Sequence, residues 1–87
     1  MITEQQMMGV KRMLVEQLRL RMEPAAIGNL MPLFREGLGL DSVDAIELVA
    51  AIERSYGIVI TNEGKAREAF RNVGTLAAYI VAEGGSL

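Results

Sequence analysis

The stretch from Asp41 to Gly57 carries the full specification of one amphipathic helix. Asp41 is the N-cap residue, and Asp44, at the third helical position, is its reciprocal partner in a capping-box pattern. The helix runs to about Tyr56, where Gly57 ends it. At 100° per residue, Ala45, Leu48, Val49, Ile52 and Tyr56 fall within about one third of the wheel. A helix with such a stripe has to bury it against other elements, and the rest of the chain offers mainly helices to bury it against.

The first of these runs from about Thr3 to Arg21. Thr3 caps it, Gln6 completes a second capping box, and Met7, Val10, Leu14 and Leu18 form its inward stripe. Pro24 lies just past its end. A long connection follows from about Met22 to Leu40, anchored by Ile27, Leu30, Leu33, Phe34, Leu38 and Leu40. Loops of that length are uncommon in small domains, so these anchors are read as packing the segment over the bundle. Gly37 and Gly39 give it backbone freedom before the second helix. Ile58-Val59-Ile60 has no partner strand and reads as an extended linker. A short third helix spans about Asn62 to Phe70. Asn72 caps a fourth from Val73 to about Glu83, with Leu76, Ala77 and Ile80 inward, and Gly84-Gly85-Ser86 is a frayed tail. The expected fold is all-α: a four-helix bundle of three main helices and a short third one, with a long first loop, in a single domain over residues 1–87.

The second helix also has a second apolar arc. Val43, Ile46 and Ala50 lie roughly opposite the core face, interleaved with Glu47 and bordered by Glu53. Either the long loop covers them, or they form the apolar centre of a docking surface with a carboxylate rim.

Several classes of function are disfavoured by what the chain lacks. It has no cysteine and no histidine. That removes thiolate metal sites, cysteine nucleophiles and the usual neutral-pH general base, and an independent enzyme becomes the weakest reading. No metal site or catalytic residue is assigned. No apolar run approaches the roughly 18 residues of a membrane span, and the N-terminus MITEQQMMGVKRM does not read as a secretory signal. The expected location is cytoplasmic, without stable membrane insertion. Net charge is −2, but residues 36–53 hold Glu36, Asp41, Asp44, Glu47 and Glu53 and no base, giving −5 there against +3 elsewhere. Such a block disfavours nucleic acid and favours a basic protein surface as partner.

The run Gly37-Leu38-Gly39-Leu40-Asp41-Ser42-Val43-Asp44-Ala45-Ile46-Glu47-Leu48-Val49 resembles the attachment motif of acyl carrier proteins. Their pattern is Leu-Gly-x-Asp-Ser-Leu followed by an acidic helix of the form Asp-x-x-Glu-Leu. The similarity extends to Leu33-Phe34-Arg35-Glu36 before it, to Glu53-Arg54-Ser55-Tyr56-Gly57-Ile58-Val59-Ile60 after it, and to Asn72-Val73-Gly74-Thr75-Leu76-Ala77-Ala78-Tyr79-Ile80 near the end. The resemblance implies a phosphoprotein: Ser42 receives 4′-phosphopantetheine from coenzyme A through a phosphopantetheinyl transferase and magnesium. Acyl groups then ride as thioesters on the arm, which would explain why the chain needs no cysteine. It further implies that Asp41 helps the transferase recognise the site. Val43, Asp44, Ile46, Glu47 and Glu53 would meet acyl-transferring and synthase enzymes with basic docking surfaces, the carrier itself being a monomer without catalytic activity. The first turn of a helix suits a phosphodiester, because its N–H groups are unpaired and the dipole is positive there.

Some positions depart from the family pattern. Arg54 stands where an acid is usual, Lys65, Arg67 and Arg71 make the third-helix region basic, and Thr61-Asn62 replaces a common Pro-Asp pair. These fit either fatty acid synthesis or a specialised lipid or polyketide pathway. A peptidyl or aminoacyl carrier is the nearest alternative, although those usually show Gly-Gly before the residue preceding serine, where this chain has Gly39-Leu40-Asp41. An unmodified helical interaction module is the alternative of a different class. The cargo is expected inside the bundle, beside the core face of the second helix, where Ala45 and Ala51 leave room.

Overall fold

A computed structural model describes residues 2–34 and 36–85. Four helices follow in order: α1 (Glu4–Leu18), α2 (Ser42–Tyr56), α3 (Glu63–Ala69) and α4 (Val73–Ala82), with a short 3-10 turn at Pro24–Ala26 between the first two. Among the described residues the only ladder contact is an isolated parallel bridge between Phe34 and Leu40. α1 is the element on which the others gather, packing against α2, α4 and the 3-10 turn, while α3 leans on α4.

The core draws on every main element. Val10 and Leu14 of α1, Leu48, Ala51 and Ile52 of α2, and Val73, Leu76, Ala77 and Ile80 of α4 are all fully buried. Ile27 and Leu33 join them from the loop, so that segment does pack as a lid over the bundle. Burial of a large aliphatic side chain contributes roughly 1.5–3 kcal/mol before entropy is counted. The loop's two fully buried residues are therefore substantial anchors in a domain this small.

Three of the four helices start with a reciprocal cap: Thr3 with Gln6 and Asp41 with Asp44, as their sequences predict, and Asn72 with Thr75, where the sequence predicts the Asn72 cap alone. Asn62 caps α3 through its side chain alone, accepting from the Lys65 amide.

The structure corrects the sequence reading at three places. α1 stops at Leu18 rather than Arg21, because Arg19 turns left-handed (φ 53°) and the Leu20 amide bonds back to the Val15 carbonyl at 3.0 Å. That reversal sends Leu20 and Met22 against the core. Leu30, expected as an anchor, is 81% exposed. The loop is pinned there by its backbone, with the Gly74 amide donating to the Asn29 carbonyl at 3.1 Å. Finally, Gly84 and Gly85 are ordered. Their amides donate to Val81 and Ile80 carbonyls at 3.0 and 2.8 Å, and Gly84 is left-handed, which is a Schellman closure of α4. Ser86 of that expected tail, and Arg35 of the approach to the serine motif, lie outside the described residues.

The linker after Gly57 is extended, as expected, with Ile58 buried, Val59 turned out and Ile60 half-buried.

Candidate functional site

Ser42 is the first residue of α2 and is exposed. Its position is fixed from both sides. On the helix side, the Asp44 amide donates to Asp41 Oδ1 and the Asp41 amide donates to Asp44 Oδ2, each at 3.0 Å. On the loop side, the Leu40 amide donates to the Leu33 carbonyl at 3.1 Å, and the Leu33 amide donates to the Arg71 carbonyl at 3.1 Å. The residue two before Ser42 is thus tied through one loop residue to the corner between α3 and α4. Gly37 permits the tight course between: a Cβ there would clash with the Pro32 carbonyl oxygen, which also accepts the Leu38 amide.

The cap uses the amide of Asp44 and leaves those of Ser42 and Val43 at the open, positive end of the helix. A covalently attached phosphate fits this setting, since the hydroxyl is exposed and first-turn amides face an anion there. Other hydroxyls fit less well. Thr75 already donates to the Ala69 carbonyl at 2.9 Å, and Ser55 sits in the last turn of α2, where the dipole has the opposite sign.

The remaining candidates fall on the same helix. Val43 is 64% and Ile46 72% exposed, so the long loop does not cover this arc. Glu47 and Glu53 are exposed around them, Asp44 is half-buried, and Ala50 is half-buried at the arc's edge. The opposite face of the same helix carries the fully buried Leu48, Ala51 and Ile52. Arg54, the basic departure near the acidic rim, is held on the α1 side, where its Nη2 donates to Gln17 Oε1 at 2.8 Å.

The core face of α2 is closed by packing. A groove of about 1160 Å³ opens instead between the long loop and α3, with Ser42 and Asp41 on its edge. Its apolar wall includes Phe34, Leu40 and Phe70, and the two phenyl rings lie 6.5 Å apart at 25°. Arg67 and Arg71 line it as well. The sequence flagged those arginines only as departures from a pattern. Nothing local signals that they share a groove with Ser42, because the contact spans about thirty residues of chain.

No group of three or more Asp, Glu, His or Cys among the described residues is arranged to hold a metal ion. No described helix is long and apolar enough to cross a membrane.

Comparison with known proteins places the site in context. The family model of the phosphopantetheine attachment site matches residues 9–80. Among relatives, the acyl carrier protein of Helicobacter acinonychis (strain Sheeba) is 37% identical over 71 residues, covering 82% of this chain and 85% of its own length.

Proposed function

The chain belongs to the acyl carrier protein family, and on that premise we propose that Ser42 is the residue that bears its prosthetic group. That group is 4′-phosphopantetheine. When bound it supplies a thiol that holds acyl groups as thioesters. The chain's own residues position and present it. Asp41 and Asp44 fix the helix start, the first-turn amides and dipole favour the phosphodiester, and Leu33 and Leu40 set the height at which Ser42 stands.

In this reading the protein is a carrier and not a catalyst, a single domain and a cytoplasmic monomer. It is loaded by a phosphopantetheinyl transferase and served by enzymes of fatty acid, specialised lipid or polyketide synthesis. Those enzymes grip the bare arc of α2, with Val43 and Ile46 at the centre and Asp44, Glu47 and Glu53 at the rim. An apolar centre inside a polar rim is the common build of a protein interface.

The observation that carries the reading is an exposed serine at the capped, positive end of α2, inside the segment matched by the family model. The test is intact mass after incubation with coenzyme A, magnesium and a broad-specificity transferase. Wild type gains one arm and Ser42→Ala gains none. An arm retained by Ser42→Ala, or none on wild type, overturns the assignment.

A further inference from the structure

The border of α2 that faces α1 changes sign along its length. Glu47 and Arg54 are seven residues apart, so they lie about 20° apart on the helix wheel and form one row. Asp44 precedes them at the Ser42 end. All three line a cleft of about 480 Å³ between α2 and the end of α1, to which Glu16, Gln17 and Arg19 also contribute. Glu53 is next to Arg54 in sequence but about 100° round the wheel, so it stays on the other border of the docking arc and keeps the negative sign there.

The reversal has a fixed place. Arg54 Nη2 donates to Gln17 Oε1 at 2.8 Å. That acceptor is a neutral amide, so the bond positions the guanidinium and leaves its charge in place. Gln17 is half-buried and Arg54 exposed, so the charge is anchored on α1 and offered at the surface. The spacing also keeps the two signs distinct. Along the helix axis Arg54 stands about 10 Å beyond Glu47 and about 18 Å beyond Ser42. The first distance exceeds the roughly 8 Å screening length at physiological ionic strength. An approaching protein therefore meets Arg54 as a separate positive corner rather than as a dilution of the carboxylates.

We propose that Arg54 is a specificity-determining residue of the α2 docking arc, and that the enzymes this carrier serves set bases against Asp44, Glu47 and Glu53 and a carboxylate against Arg54. The proposal rests on the docking role given above to α2 and on Ser42 as the attachment residue. It deepens that reading by naming the charge pattern of the partner. One positive corner among negative ones fits an enzyme in one orientation only, and an enzyme that is basic throughout meets a like charge there. Repulsion of a wrong partner contributes to specificity as attraction of the right one does. The competing account is a structural clamp, in which the bond to Gln17 ties α2 to α1. A clamp acts on stability and leaves the choice of enzyme unchanged.

The probe is a ketosynthase whose docking surface is basic throughout, together with single Lys→Glu and Arg→Glu variants of that surface. Holo carrier is compared as wild type, Arg54→Gln and Arg54→Glu by stopped-flow association, with loading confirmed by intact mass. Wild type is expected to associate faster with a ketosynthase variant whose reversed charge lies about 18 Å from the active-site mouth than with the parent enzyme. Arg54→Glu is expected to invert that preference, with a coupling of about fivefold or more that shrinks as salt is raised. Arg54→Gln keeps an amide beside Gln17 and loses the charge, so it should lose the preference at an unchanged melting temperature. Coupling below about twofold for every reversal overturns the proposal and leaves Ser42 and the apolar arc standing. A lowered melting temperature in Arg54→Gln with the preference intact does the same and assigns the pair to a clamp. Coupling confined to reversals beside the active-site mouth overturns the polarity of the match. A wild type that accepts no arm overturns the proposal together with the reading beneath it.

Discussion

Asp41 and Asp44 cap each other across the start of α2, each side chain accepting the other's backbone amide at 3.0 Å. Losing the Asp41 side chain leaves a first-turn amide without its partner. Asp41→Ala is expected to cost about 1 kcal/mol, a fall of roughly 4–8 °C in Tm for a domain of this size. Asp41→Asn keeps the cap and should melt within a few degrees of wild type. Comparing the two variants separates stability from any recognition of the carboxylate charge, since a slower transferase rate in Asp41→Asn alone reads the charge. Thermal melts and loading rates measured on the same samples decide the matter.

The bare arc of α2 should be separable from the fold. Ile46 is 72% exposed and makes little contribution to the core, so Ile46→Ala should change stability by less than about 0.5 kcal/mol. If it anchors the interface, the same change weakens binding to a cognate enzyme by more than about 1 kcal/mol. Glu47→Lys acts differently. Its effect should fall on the association rate and on its salt dependence. Stopped-flow association at two ionic strengths distinguishes the two roles, and an unchanged rate for Glu47→Lys would remove it from the rim.

Two glycines predict opposite signs. Gly9 lies inside α1, and an added Cβ there meets nothing within 4 Å. Gly9→Ala should therefore stabilise by about 0.5–1 kcal/mol through helix propensity. At Gly37 a Cβ would press on the Pro32 carbonyl oxygen, so the loop has to move. Gly37→Ala should destabilise by about 1–3 kcal/mol and disturb the Leu33–Leu40 register with it. Urea unfolding gives both signs, and amide shifts at Leu33 and Leu40 show whether the register moved.

Tyr56, at the end of α2, is half-buried, and that burial raises its pKa above the ordinary phenol value of 10.0. The unfolded chain releases this proton first. The stabilisation is therefore fully present below pH 10 and is lost as pH rises from 10.0 through the higher folded value. Tyr56→Phe should flatten the alkaline part of the stability profile, apart from what other groups contribute. Chemical unfolding at pH 9 and pH 11 for both proteins tests it, and equal losses in both would dismiss Tyr56 as the cause.

Local patterns made much of this molecule legible. The boundaries of α2, the reciprocal caps at Thr3 and Asp41, the cap at Asn72, and the inward residues of α4 are written in residues within one turn of each other. The two faces of α2 could be separated on a wheel, but whether the loop covered the second face could not, because that depends on where the loop lies. The end of α1 is not legible in the sequence because its left-handed stop is made by Arg19 rather than by glycine or asparagine. The exposure of Leu30 is not legible either, because burial in an irregular segment has no period to read, and the loop is pinned there by the backbone bond between Asn29 and Gly74. The groove beside Ser42 is hidden for the same reason: Phe34 and Phe70 meet only by ring stacking across the fold, and Arg71 is tied to the loop only by the Leu33 amide.

α2 is seated through Leu48, Ala51 and Ile52 on one side and left bare at Val43 and Ile46 on the other. Ile46 and Ser42 are thus parts of one stiff rod, four residues or about 6 Å apart along its axis. In the proposed role, an enzyme that closes on Ile46 thereby locates the hydroxyl of Ser42 too, with no hinge in between to blur the aim. Recognition and delivery become a single act of alignment.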